Sequence, residues 1–464
     1  MDGKDGMKTK AGELPDGLFK GAKSLTKAVL PQGLTTIGKS CFEGCESLTD
    51  ITLPESLIEI ANDAFENCKS LPSLALPEKL KTIGANAFEG CKAFTAIVIP
   101  ADVRVLEADA FKQCSALSSI TLPENLTEIA GEAFMDCEVL DNVIIPENVK
   151  ELGSSAFKKC TALATIQMEN VGKIGANAFQ DCKSLNAVTL KKISKIGSNA
   201  FEGCTSLTTV ALEGGLDELS EDVFKKCTSL TTVSIPNTVK NIANEAFAEC
   251  KSLESVALPS GLTKIGSHAF EGCSTMKELS IPNMVKSIGS SAFENCTSLD
   301  SVAINGFVEE ISSDLFRHCH NLRSISIPNT VRKIGSKAFQ ECTALASISL
   351  PVALTSIGDD AFAKCNSLTS VKLPVAVKEI GSSAFEECVM LSSVELSSSL
   401  KKIGGSAFAK CSSLKEVTLK TPAPPSISNS TFKGTAPTFF IPRGSLPVYI
   451  AHKDWKNISG YQEK

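Results

Sequence analysis

Phenylalanine occurs at positions 19, 42, 65, 88, 111, 134, 157, 179, 201, 224, 247, 270, 293, 316, 339, 362, 385, 408 and 432. The steps are 23 residues, except two of 22 between 157 and 201 and a last one of 24. Nineteen of the 23 phenylalanines therefore share one register. Cysteine keeps the same beat three residues later, from Cys45 to Cys411, which accounts for 17 of 18; Cys41 is the exception. A period of about 20 to 50 residues sustained over nearly a whole chain is the signature of a solenoid, in which no unit can bury its apolar face alone. Length alone, 464 residues at about 150 per domain, would suggest about three domains. The repeat overrides that count.

The unit from Phe134 to Ala156, FMDCEVLDNVIIPENVKELGSSA, shows what one coil does. Leu140, Val143, Ile145 and Pro146 reproduce an L-x-x-V-x-I-P pattern, and the alternation of Val143 and Ile145 has the period of a strand with one face buried. Proline lacks an N–H for the ladder, so Pro146 and its equivalents predict a corner. Val149 and Leu152 then predict a second short extended or irregular segment. In the register of Gly153, glycine occurs in 11 of 18 repeats, with Ala61, Glu107, Ala130, Ser220, Ala243, Ser312 and Ser428 in the others, so left-handed backbone is expected to be allowed there but not obligatory. Ala-Phe-x-x-Cys-x-x-Leu has the spacing of a single helical or 3₁₀ turn with Phe, Cys and Leu facing inward. Stacked coils then give Phe, Cys and aliphatic ladders and parallel strand pairing.

The resulting pattern, CxSLxxVxLPxxLxxIGxxAFxx, resembles the BspA-like leucine-rich repeat family, whose 23-residue units occur in bacterial and protozoan surface proteins. The resemblance runs from about residue 19 to about residue 432. It implies a repeat solenoid, a leucine-rich-repeat-like right-handed coil stack with a parallel β-sheet face and short 3₁₀ or loop segments on the other face. The tail from Thr421 through Trp455 is similar to the C-terminal cap of bacterial members: a final strand, a Pro-Arg-Gly turn and a short helix. Residues 19–420 are thus expected to form the solenoid, 1–18 an N-terminal cap or extension and 421–464 the C-terminal cap. The ends need covering because a solenoid exposes an apolar cross-section at each. Trp455, Tyr449, Tyr461, Phe439 and Phe440 are concentrated in the final segment. The resemblance also implies a scaffold that binds other macromolecules, with adhesion to host proteins as the best-known role, and no chemistry.

Other features narrow the functional classes. The net charge of −6 gives no electrostatic reason to expect nucleic acid or an anionic membrane as partner. No stretch approaches ~18 consecutive apolar residues, so no membrane-spanning helix is expected. The polar start, MDGKDGMKTKAGELPDG, lacks the apolar region of a secretory signal; either the chain stays where it is made or an export signal has been removed.

The Cys ladder shares the inward face of the Phe ladder, which predicts buried, reduced and unreactive thiols; Cys41 reads as a small apolar filler in place of the usual Ala. Only four histidines occur. The run Arg317-His318-Cys319-His320 looks like a ligand set, but Cys319 is the inward position and its neighbours must point elsewhere. No metal site, cofactor or catalytic constellation is expected.

The outward strand positions, Ser119/Thr121, Thr165/Gln167 and Ser324/Ser326 among them, form a stripe of small, mostly neutral side chains. One departure stands out two residues beyond the corner, where most coils carry small or polar residues. Consecutive coils there carry Met284 and Phe307, with Ala353 and Ala376 further along, and Asn305-Gly306 replaces the usual Pro before Phe307. Met284 and Phe307 are the candidate partner-binding residues. The expected function is a non-enzymatic scaffold for a protein partner, such as a host extracellular protein, at the cell surface or secreted. A self-associating structural rod and a cytoplasmic regulatory binding protein are the alternatives. The two 22-residue repeats lack the corner Pro, and the sheet is expected to run through them unbroken.

Overall fold

A computed structural model describes residues 12–464, so residues 1–11 of the expected N-terminal cap lie outside the described residues. The chain divides into two compact units, one ending at Pro236 and the other starting at Asn237. Each is a stack of coils, and each coil supplies up to two short strands and a tight loop that carries Phe and Cys.

The segment after the corner forms a narrow ladder of two-residue strands. In the first unit Glu13–Leu14, Thr36–Ile37, Glu59–Ile60 and Thr82–Ile83 pair in parallel, as do the five strands from Val105–Leu106 to Lys195–Ile196. In the second, five strands from Glu310–Ile311 to Lys402–Ile403 do the same. In each strand after the first, where Leu14 is half-buried, the second residue is a buried aliphatic and its neighbour faces solvent or lies half-buried, the alternation the pattern predicts.

The wider strands before the corner turn Val143 or its equivalent inward, buried in most coils and half-buried in others, as at Ile120, Ile166 and Ile325, with the residues on either side exposed or half-buried. They make several short sheets instead of one. Thr165–Gln167 pairs only with Asn142–Ile144 among the described strands, and Ala187–Ile193 begins a new sheet with Thr209–Gly214 and Thr232–Ser234. The expectation of an unbroken sheet through the 22-residue repeats is therefore corrected for the wide strands, whereas the narrow ladder runs through both repeats. Without the corner Pro, the strand continues from Leu190 to Ile193, where its register shifts by one residue against Gly214, whose φ is +130°.

The Phe-bearing loop also differs from the expected helical or 3₁₀ turn: it is a run of tight turns with residues in the left-handed region two before and two after Phe. Thirty non-glycine residues have positive φ among the described residues, and all fall in these two registers, from Ser40 and Asp63 to Ser406 and Lys410. The geometry sets peptide direction. Within the loop Glu66 N–H donates to Asp63 O and Cys68 N–H to Phe65 O, both at 3.1 Å. The alternate amides of Asp63, Phe65 and Asn67 donate instead to Ala85, Ala87 and Glu89 O of the next coil, at 2.9, 2.9 and 2.6 Å. A left-handed residue without glycine's freedom costs about 1 to 2 kcal/mol, and the inter-coil hydrogen bonds it permits offset that cost.

The glycines four residues before Phe are not left-handed, and their role is close approach. A Cβ on Gly153 would lie 2.4 Å from Ala130 C and Gly131 N of the preceding coil, and one on Gly197 would lie 2.4 Å from Ala176 N. At two of the positions where serine replaces glycine the hydroxyl binds back: Ser220 and Ser312 Oγ donate to Ile196 O and Ile288 O at 2.5 Å.

Inside the loops, Phe rings stack at 5.1–5.7 Å between centroids in both units, with interplanar angles no greater than 18°. All 18 cysteines are free and buried. Each ladder thiol whose contact is resolved donates to the carbonyl of the preceding coil's Phe, as in Cys68 Sγ to Phe42 O at 3.1 Å. That carbonyl already accepts Cys45 N–H at 3.0 Å, so the thiol fills its second lone pair. Phe19, the first of the series, is followed by Ala22 instead of Cys; after the last, Thr435 Oγ1 donates to Phe432 O of its own coil at 2.7 Å.

At the C-terminal end Thr438–Ile441 extends the sheet from Glu416–Leu419, and Tyr461–Glu463 pairs with it as the last strand. Between them run Pro442-Arg443-Gly444 and the helix Leu446–Ala451. Trp455 and Tyr449 are fully buried. Trp455 meets Phe439 edge-on at 5.6 Å and donates from Nε1 to Pro425 O at 2.7 Å, while Tyr449 Oη donates to Thr421 O at 2.8 Å.

Charges also stack at repeat spacing. Lys20 meets Glu43 at 2.7 Å, Lys27 meets Asp50 at 2.6 Å and Lys364 meets Glu341 at 2.8 Å. One register of the first unit instead aligns Glu43, Glu66 and Glu89. Burial, and then the carboxylates of Glu43 and Glu89, raise the pKa of Glu66; burial likewise raises that of Glu89.

Three outcomes test this architecture. Gly153→Ala is expected to cost about 3 kcal/mol by overpacking backbone against backbone. Gly203→Asn, in the left-handed register that already holds Asn67, should cost about 1 kcal/mol or less; shifts in the denaturant unfolding midpoint decide. A thiol reagent should label essentially no cysteine in the native chain and all of them in denaturant. Because the folded pKa of Glu66 is raised, folding favours its protonated form, and its ionisation destabilises the fold at neutral pH. Glu66→Gln should therefore raise the thermal midpoint slightly at pH 7, and the gain should vanish below about pH 4.

Candidate functional site

The corner after each wide strand turns the chain outward, and in the second unit it carries exposed apolar side chains. Met284 is 50% and Phe307 65% exposed, and they sit at equivalent places on adjacent coils, since Ile281 pairs with Ile304. Phe307 N–H donates to Val285 O at 2.8 Å, and a Cβ on Gly306 would lie 2.5 Å from the same oxygen. Gly306 thus lets the corner close, Val308 turns into the core and Phe307 projects into solvent. The structure places both candidate residues together on one edge.

Beyond one coil that carries Asn329 and Thr330, the same corner again exposes apolar residues, shifted by one position, that the sequence reading passed over. Ala353 and Ala376 are half-buried, whereas Val352 and Val375, one position earlier, are 70% and 66% exposed. The signal was available: other coils carry Glu55, Glu78, Glu124, Glu147, Asn283 or Asn329 at that position.

A second surface lies in the first unit, where the outward residues Ser119, Thr121, Asn142, Ile144 and Gln167 floor a groove of about 980 Å³. Its rim carries Glu124, Asp141, Glu147 and Glu169 and no lysine or arginine. Of these, Glu169 is paired with Lys191 at 2.7 Å.

The two histidines flanking Cys319 are each held in place, and both reach Glu341, His318 through the carboxylate at 3.7 Å. His318 Nδ1 lies 3.0 Å from Asn295 Oδ1 and His320 Nδ1 lies 3.0 Å from Glu341 O, while Cys319 points inward and donates to Phe293 O at 3.2 Å. Burial, then the charge of Arg317, lowers the His318 pKa. The reading of Cys319 as the inward position between two outward histidines agrees with this placement. Burial also makes the ladder thiols weak acids: Cys365 and Cys411 are each pushed up to about 12. A thiol held protonated as a donor is a poor nucleophile and a poor metal ligand. One group that was not singled out brings three donors together: His268 on one coil, Glu271 on the same loop, and Glu294 on the next coil.

Comparison with known proteins identifies the repeat. The profile of the BspA type leucine-rich repeat region, which describes six copies, matches residues 12–140, 104–230, 217–346 and 332–442. No curated protein matches the sequence. Among solved structures, a leucine-rich repeat protein from Bacteroides ovatus is 23% identical, with a TM-score of 0.51, over 94% of this chain and 92% of that one. A leucine-rich cell surface protein from Faecalibacterium prausnitzii is 26% identical, with a TM-score of 0.44, over 73% and 90%. The first shares the solenoid fold. No helix among the described residues is long and apolar enough to cross a membrane. With the family profile covering the repeats from end to end, the chain belongs to the BspA-type leucine-rich repeat family.

Proposed function

We propose that this chain is a non-enzymatic scaffold that binds a protein partner, displayed at a cell surface or secreted, and that the edge formed by Met284, Phe307, Val352 and Val375 is a contact site. The observation that carries the reading is the placement of large apolar side chains in solvent at a corner where other coils are polar. The backbone of that corner is fixed by inter-coil hydrogen bonds, so the side chains meet a partner already ordered. Residues 19–420 act as the binding body, and the aromatic cluster of 421–464 keeps its last coil closed.

Direct binding tests this. Purified chain is titrated against a panel of purified host extracellular proteins, alongside the double variant Met284→Asp, Phe307→Asp. Saturable binding to at least one protein, weakened about tenfold or more in the variant, is the expected result. Because both side chains are exposed, the variant's unfolding midpoint should correspond to a change within about 0.5 kcal/mol. Equal binding by the variant would remove the edge from the contact surface, and no binding to any panel member would count against the extracellular reading.

A further inference from the structure

We propose that His268, Glu271 and Glu294 form a site for a divalent transition-metal cation of the zinc class. One nitrogen or oxygen donor from each residue lies within 4.8 Å of the other two. His268 Nδ1 is 2.8 Å from Glu271 Oε2, and Glu294 reaches in from the next coil at the position equivalent to Glu271. A nitrogen and two carboxylate donors that leave coordination positions open to water suit Zn²⁺, bound at about 2.0–2.2 Å after small side-chain rotations.

Three features separate this group from ordinary surface carboxylates. First, the backbone that carries the donors is fixed between coils: Phe270 N–H donates to Ala292 O and Gly272 N–H to Glu294 O, both at 2.8 Å. Second, Glu294 is only 9% exposed, and Arg317 Nη1 holds its Oε1 at 3.2 Å, the kind of outer hydrogen bond that orients a ligating carboxylate. Arg317 is itself shared with Asp314 at 3.5 Å. Third, where lysine stands in the register of Glu271 it neutralises the carboxylates in the register of His268, as Lys112 meets Asp109 and Glu132 at 2.8 and 2.6 Å. Among the described residues Glu271 has no Lys or Arg partner, and Glu294 brings a second carboxylate within 4.8 Å. Glu271 thus brings a carboxylate that no lysine or arginine offsets, and a bound divalent cation would supply that charge.

The test is calorimetric titration of the full, reduced chain with Zn²⁺ alone. One equivalent should bind, and His268→Asn should weaken binding about tenfold or more. Asn is the substitution of choice because Asn86, Asn177 and Asn199 already occupy this left-handed register, so the loop should fold unchanged. Glu294→Gln should weaken binding similarly, while His318→Asn with His320→Asn should leave it within about twofold, their contacts being separate. Co²⁺ in place of Zn²⁺ should give visible bands without thiolate charge transfer, because the cysteines are buried. No saturable binding, binding unaltered by His268→Asn in a variant with native circular dichroism, or a thiolate band would overturn the proposal.

Discussion

Every peptide group that a coil cannot satisfy within itself must be satisfied one repeat away, and the rest of the architecture follows from that requirement. In the narrow ladder the later coil donates to the earlier, as Gly84 N–H does to Ile60 O at 2.8 Å. In the Phe loop the direction reverses, Phe65 N–H donating forward to Ala87 O at 2.9 Å. Alternating left-handed residues turn three amides of one loop the same way. That leaves each Phe carbonyl with a spare lone pair, and the cysteine of the next coil fills it. Phe stacking near 5 Å, glycines that admit a neighbour's backbone and thiols used as donors are parts of one solution to the spacing of the coils.

The left-handed residues also explain why the loop surface is so polar. Asn, Asp and Ser recur there because their short side chains tolerate the conformation, while Lys, Glu and His occupy it at a cost that the forward hydrogen bonds offset. Their side chains then lie in rows at repeat spacing, where sign matters more than number. Opposite charges in successive coils form exposed pairs worth little each. In the register beside them, burial, and then nearby carboxylates, raise the pKa values of Glu66 and Glu89 and work against the fold at neutral pH.

Much of this was legible in the sequence because the core is written in periodic apolar residues. Phe65, Cys68, Leu71 and Ile83 lie inward as their spacing predicts, and the resemblance carried the solenoid and the final strand, turn and helix. The loop conformation was not legible. Positive φ is carried by Lys159, Glu249 and His318 as readily as by Gly203, so no residue type marks it, and glycine drew attention to the wrong register. At the candidate edge, Phe307 was visible as an aromatic out of register, whereas Val352 and Val375 were hidden among ordinary valines. The His268 group escaped because its members lie on two coils, and only the stacking distance brings Glu294 beside Glu271.

The thiol hydrogen bond has a consequence for how such a chain can vary in length. Each Cys reaches back 26 residues to a Phe carbonyl in the long repeats and 25 where a residue is missing, with Cys182 and Cys204 keeping 3.1 and 3.2 Å contacts. The missing residue lies at the outer corner, away from Phe, Cys and the turn amides, so the buried chemistry does not register its loss. Within a unit, each interior junction presents nearly the same chemistry as the next. Repeat number is thus a quantity the core leaves free, and the terminal coils alone carry information about where the stack stops.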